Sequence, residues 1–162
     1  MKRLKCKLAS RRGVTLSEML VTVAILGLVT LAVSVGISSA LRVYNQSVTL
    51  SDAQTLTSTL SQAIMDELRY ARDIKTNEEG ALSSYTSMDY GLNAAFSADT
   101  DKHITVGGKA LVGSGTYAGL GAGAEVSYDS STRCFTVKLT ISQGTEALRL
   151  NTFSVRALNP PS

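Results

Sequence analysis

An α+β architecture is predicted for this chain of 162 residues. It comprises a long N-terminal helix, membrane-spanning in its first half and amphipathic in its second, packed against a small antiparallel β-sheet. Three observations carry the prediction. No formal charge occurs between Met19 and Leu41, and no proline interrupts the stretch from Val14 to Ile74. From Leu50 onward, apolar residues recur at steps of three and four. After Gly80 the pattern changes to alternation at steps of two, punctuated by glycine-rich turns.

The uncharged run is long enough to span lipid. At about 1.5 Å per residue, a helix from Met19 to Leu41 extends roughly 35 Å, against a bilayer core of about 30 Å. An ordinary secretory signal has a shorter apolar region, about 7–15 residues. Lys2, Arg3, Lys5, Lys7, Arg11 and Arg12 precede the run, whereas only Arg42 follows it closely. That asymmetry predicts a cytoplasmic N-terminus and an exported remainder.

The helix is predicted to continue with a different surface. Ala53, Leu56, Leu60, Ile64, Leu68, Ala71 and Ile74 fall on one stripe, as packing against a domain requires. Asp66 can reach Arg69 at i, i+3. The many Ser and Thr residues lower intrinsic helix propensity, so tertiary packing must hold this half. A single helix over Val14–Ile74 would run about 90 Å, with Asn77-Glu78-Glu79-Gly80 as its stop. The organisation expected is a basic leader over 1–13, an apolar helix half over 14–41, an amphipathic half over 42–80 and a sheet domain over 81–162.

Within that last region, Gly107-Gly108 lies between Ile104-Thr105-Val106 and Lys109-Ala110-Leu111-Val112, a hairpin signal. Gly113–Gly123 reads as a loop and Ala124–Tyr128 as a strand. Asp129-Ser130-Ser131-Thr132 reads as a turn. In the strand Arg133–Ser142, Phe135, Val137, Leu139 and Ile141 share one face, and Thr136, Lys138 and Thr140 share the other. Gln143-Gly144-Thr145-Glu146 turns into a final strand, Ala147–Leu158. Its apolar residues switch parity, which a bulge near Asn151-Thr152 would reconcile. Pro160-Pro161 ends regular structure. A domain this small buries a limited fraction of its surface, so the amphipathic helix should form one wall of its core.

Charge and cysteine usage narrow the function classes. Six of the 16 basic residues precede Gly13 and none of the 13 acidic residues does, so loss of Met1–Gly13 turns a net charge of +3 into −3. The basic character belongs to the leader, and the rest of the chain has no Lys/Arg cluster of the kind that binds nucleic acid. Cys6 lies in the leader and Cys134 far downstream, so a processed chain has no intrachain disulfide. His103 is the only histidine. No Ser or Cys stands in a nucleophile-elbow context, and no Cys/His set has metal-ligand spacing. Asp99 and Asp101 offer carboxylate oxygens of the type calcium takes, but a solvated loop is the favoured reading there. Gly119–Gly123 lacks the Lys-Ser/Thr of a phosphate loop. Neither catalysis nor a cofactor is expected.

The string Arg11-Arg12-Gly13-Val14-Thr15-Leu16-Ser17-Glu18, followed by the apolar helix, its amphipathic continuation and a C-terminal sheet, resembles a type IV prepilin or a type II secretion pseudopilin. The resemblance is specific over Arg11–Leu41 and architectural beyond it. It implies cleavage after Gly13 and N-methylation of the new N-terminal residue, Val14, where the family usually has Phe. It implies a filament-assembly role for Glu18. It also implies four partners: a prepilin peptidase/methyltransferase, other pilin or pseudopilin subunits, an inner-membrane assembly platform and, before assembly, the lipid bilayer. The missing disulfide and the glycine-rich insertion lean toward a minor subunit.

Physical chemistry fits these roles. Gly13 has no side chain to hold a peptidase away from the backbone. Cleavage creates a cationic amine on Val14, one helical turn from Glu18. An unpaired carboxylate in lipid costs on the order of 2.5–3.5 kcal/mol at the helix centre and less near the edge, and a neighbouring subunit's amine would neutralise it. Plainer readings compete: an ordinary single-pass anchor holding a monomeric extracellular binding module, a secretory signal cut after Ser38-Ser39-Ala40, or a twin-arginine signal at Ser10-Arg11-Arg12. The mature N-terminus separates them, as Met1 if uncleaved, Leu41 for the secretory site, or Val14.

Overall fold

The computed structural model of the protein describes residues 13–158. The leader residues Lys2, Arg3, Lys5, Cys6, Lys7, Arg11 and Arg12 and the terminal Pro160-Pro161 lie outside that range. Two compact units are distinguished, the first ending at Asn45 and the second beginning at Gln46.

Among the described residues of the first unit the only regular element is helix α1, which spans Leu16–Arg69 and so continues into the second. Its apolar part, through Leu41, is exposed on every side: Leu20, Val21, Leu26, Leu28, Leu31 and Val35 all present their side chains outward. This is the surface of a helix meant for lipid or for other helices. It is the one helix among the described residues that is long and apolar enough to cross a membrane.

In the second unit the same helix becomes one wall of a core. Ala53, Leu56, Leu60, Ile64 and Leu68 are buried, as their spacing predicts, together with Thr57 and Ser61. The Thr57 hydroxyl donates to the Ala53 carbonyl at 2.6 Å and so stays satisfied inside. Asp66 accepts from the Gln62 amide at 3.1 Å to both carboxylate oxygens, in place of the Arg69 partner expected.

The helix ends earlier than the sequence suggests. It stops at Arg69, and Arg72–Thr76 is strand β1, so Ile74 belongs to the sheet and not to the helix stripe. Two hydrogen bonds define the end. The Ala71 N–H closes a short turn on Leu68 O at 3.3 Å, and the Leu158 N–H, arriving from the far end of the chain, takes Arg69 O at 2.9 Å. That tertiary bond satisfies one of the orphan carbonyls of the last turn. Gly80 has the positive φ expected of it (77°), but within a β-hairpin turn. There the Asn77 side chain accepts from the Glu79 and Ala81 N–H groups.

Three three-stranded antiparallel sheets replace the single sheet expected. The first joins β1 to β2 (Leu82–Ser87) and β3 (Gly91–Ala94). The second joins β4 (Phe96–Ala98), β5 (Ile104–Val106) and β6 (Lys109–Ala110). The β5–β6 turn is Gly107-Gly108, both at positive φ (56° and 80°), as a tight hairpin demands. The third and largest sheet orders β7 (Gly121–Asp129), β8 (Cys134–Gln143) and β9 (Glu146–Arg156). A 3-10 turn, Ser114–Tyr117, fills part of the glycine-rich loop and buries Tyr117.

Phe135, Val137, Leu139 and Ile141 are fully buried on β8. The bulge in β9 sits nearer the turn than expected. Ile141 pairs with Arg149 while Ser142 pairs with Ala147, leaving Leu148 as the extra residue. Pairing is regular through Asn151-Thr152, because Asn151 has a reason to face inward: its amide donates to the Ser61 hydroxyl of the helix at 3.1 Å.

Candidate functional site: the entry to the long helix

The segment with a chemical signature is Gly13–Glu18, where the described chain enters α1. Gly13, Val14 and Thr15 are non-helical, and the helix starts at Leu16. Thr15 is its N-cap. The Glu18 N–H reaches the Thr15 hydroxyl at 3.3 Å and the Thr15 carbonyl at 3.1 Å, and the Met19 N–H reaches the same carbonyl at 3.2 Å. Thr15 and Ser17 also share a hydroxyl–hydroxyl bond of 3.1 Å. This is the Thr half of a capping box. Thr15 is the functional residue that the sequence reading missed, although Thr-x-x-Glu at Thr15–Glu18 is its signal.

The cap places the Gly13–Val14 bond two residues before the first helical residue. Its backbone is therefore free of intrahelical hydrogen bonds. Space there is open: a Cβ at Gly13 would meet nothing within 4 Å. Glu18 sits in the first turn of α1, where the helix dipole favours an anion, and its side chain is exposed. The Thr22 hydroxyl bonds back to the Glu18 carbonyl. The arrangement brings Gly13, Val14 and Glu18 within two turns of one another, with the Gly13–Val14 bond outside the helix and the carboxylate inside it.

A prokaryotic N-terminal methylation motif matches residues 8–34. This segment is a prepilin-type signal. The match supports a type IV pilin-like reading of the chain, and it covers Gly13-Val14, the capped entry and most of the apolar helix. Neither a curated protein nor a solved structure matches the chain.

The other candidate residues belong to the second unit. Asp99 is committed to its own loop. Its Oδ1 accepts from the Asp101 N–H at 2.9 Å and the His103 N–H at 2.8 Å, and its Oδ2 lies 3.5 Å from His103 Nδ1. His103 in turn stacks on Tyr117 with ring centroids 4.0 Å apart. The Tyr117 hydroxyl accepts from the Ile104 N–H at 2.7 Å, and burial pushes its pKa up. The Asp99 side chain therefore organises a turn to which Asp101 contributes its N–H, and among the described residues no three His, Cys, Asp or Glu side chains are grouped to hold a metal. Cys134 is a half-buried free thiol at the start of β8, 3.5 Å from the Thr132 carbonyl. A groove of about 350 Å³ beside β7 is lined by Leu82, Phe96, Val126, Glu125 and Lys138 among others. Glu125 and Lys138 are cross-strand partners in it.

Proposed function

We propose that the protein is a structural subunit of a type IV pilus or a type II secretion pseudopilus. It inserts with its N-terminus in the cytoplasm, is cut after Gly13 and methylated on Val14, and is then incorporated through its N-terminal helix. The observation that carries this reading is the methylation motif over residues 8–34, joined to a helix whose apolar half is exposed all round. A non-catalytic role follows from the same reading, since the helix offers packing surface and the small sheets offer an outward face. Glu18 is the assembly residue, neutralised by the Val14 amine of a neighbouring subunit. Partners are the prepilin peptidase, the assembly platform, other pilin or pseudopilin subunits and, before assembly, the bilayer. The glycine-rich segment and the lack of a disulfide favour a minor subunit.

Mass spectrometry of the mature N-terminus, with fractionation of sheared filaments, tests the proposal. The expected product begins at methylated Val14 and appears in the filament fraction. Glu18→Ala should leave insertion and cleavage intact and reduce incorporation at least tenfold. Normal incorporation of that variant would remove Glu18 from the mechanism. A mature chain beginning at Met1 or Leu41 would overturn the whole reading.

A further inference from the structure

Along the exposed helix, polar side chains recur every fourth residue: Glu18, Thr22, Thr30, Ser34, Ser38 and Arg42, with Leu26 between. The hydroxyls of Thr30, Ser34 and Ser38 each donate to the carbonyl four residues back, at 2.7, 2.9 and 3.0 Å. They therefore form one ridge of the i±4 type used in helix packing. Shallow hollows flank both ends of the ridge, one at Glu18 and Thr22, the other at Ser38 and Arg42. The ridge thus carries a negative charge at one end and a positive charge at the other, with no formal charge between them.

From Glu18 to Arg42 is about 36 Å along the axis and about 120° around it. The two groups cannot meet within one chain. Two copies standing at the same depth bring Glu18 level with Glu18 and Arg42 level with Arg42, which repels at both ends. Displacing one copy outward by the length of the ridge brings its Glu18 level with Arg42 of the other. Because the donor and acceptor ends point in different directions, such a contact is head-to-tail and propagates without closing.

We infer that Arg42 of a second copy of this chain, displaced by 24 residues (about 36 Å), is a cation partner of Glu18. The inference rests on the subunit reading above and names a partner within it. The displacement is slightly more than one bilayer core, about 30 Å. Glu18 of a copy that has moved out of the membrane thus meets Arg42 of a copy still anchored at the outer surface. The contact specifies how far one subunit advances before the next is engaged. The carboxylate has two oxygens, and the Val14 amine of a third copy, about one helical turn away in register, takes the other.

Cysteine cross-linking in assembled filaments tests the register with both charges left in place. In the full chain carrying Cys134→Ser, differently tagged Thr22→Cys and Gln46→Cys copies are co-expressed in an excess of cysteine-free copies and oxidised. These positions have the same 24-residue displacement as Glu18 and Arg42. Mixed-tag dimers should exceed those of a Thr22→Cys and Val35→Cys control at least tenfold. Adding Arg42→Glu to all copies should return them to the control level, while Arg42→Lys should keep them within about twofold. Filaments that form normally but give equal cross-linking for the two pairs overturn the register. Filaments in which Arg42→Glu leaves the cross-link unchanged overturn the charge contact. Absence of the Cys134→Ser parent from any filament fraction overturns the subunit reading, and the inference falls with it.

Discussion

Two stretches of one helix treat the same residue types in opposite ways. Leu28 is 69% exposed, whereas Leu60 and Ile64 are 0% exposed. Both stretches carry enough apolar surface to need cover, at roughly 25 cal/mol per Å² of apolar area removed from water. The difference lies in how that surface is distributed. Up to Leu41 it runs all round the helix, so no single wall of protein can bury it. From Ala53 it lies on one stripe, which β8 and its neighbours cover with Phe135, Val137, Leu139 and Ile141. Hydrophobicity sets the demand for cover, and periodicity decides whether the chain itself meets it.

The largest expected effect breaks that contrast directly. Leu60→Ala should destabilise the second unit by about 2–5 kcal/mol, through lost burial and a residual cavity. Leu28→Ala should change it by less than about 0.5 kcal/mol. Urea unfolding of the detergent-solubilised chain, followed by a probe of the sheets, reads both. Comparable losses for the two variants would mean that the exposed half shares the same cooperative core.

A smaller effect sharpens how tightly the second unit is packed away from the helix. A Cβ at Gly121 would lie 2.9 Å from Lys102 Cβ. Lys102 cannot easily yield, because its carbonyl accepts from the Ala122 N–H at 2.7 Å and its Nζ donates to Gly144 O at 2.6 Å. Gly121→Ala should cost about 1–3 kcal/mol as overpacking, read as a lowered urea midpoint at unchanged m-value.

The smallest effect is a pH dependence confined to the second unit. The Tyr85 hydroxyl donates to Glu67 at 2.9 Å. Burial, and then the Glu67 charge, push the Tyr85 pKa well above its ordinary value of 10.0. A folded-state pKa that is raised stabilises fully below the unfolded value and is lost as pH rises above it. Stability should therefore hold up to about pH 10 and fall beyond it, with a shallower fall in Tyr85→Phe. Urea midpoints between pH 8 and 11.5 measure this, and an equal slope in the variant would assign the fall to other groups.

Strong periodicity made the main elements legible in the sequence. The helix stripe from Ala53 to Leu68, the inward face of β8 and the Gly107-Gly108 hairpin all follow from repeats of 3.6 or 2 residues. Strands β1 to β4 were missed because they are short and polar. In Leu82–Ser87 only Tyr85 and Ser87 are buried, too few to register as alternation. The candidate site was legible for a different reason. Its chemistry is local, with Gly13, Val14 and Glu18 within six consecutive positions, so no long-range contact was needed to find them.

By itself the sequence determined the exposed helix and the one carboxylate within its first turn, since these depend on composition and on neighbours at most four residues away. Only the tertiary structure decided where the helix stops and where β9 bulges. Arg69 O is closed by the Leu158 N–H, and Asn151 is turned inward to Ser61. In both cases a polar group is satisfied by a partner some 90 positions along the chain, and no local pattern encodes a hydrogen bond over that separation.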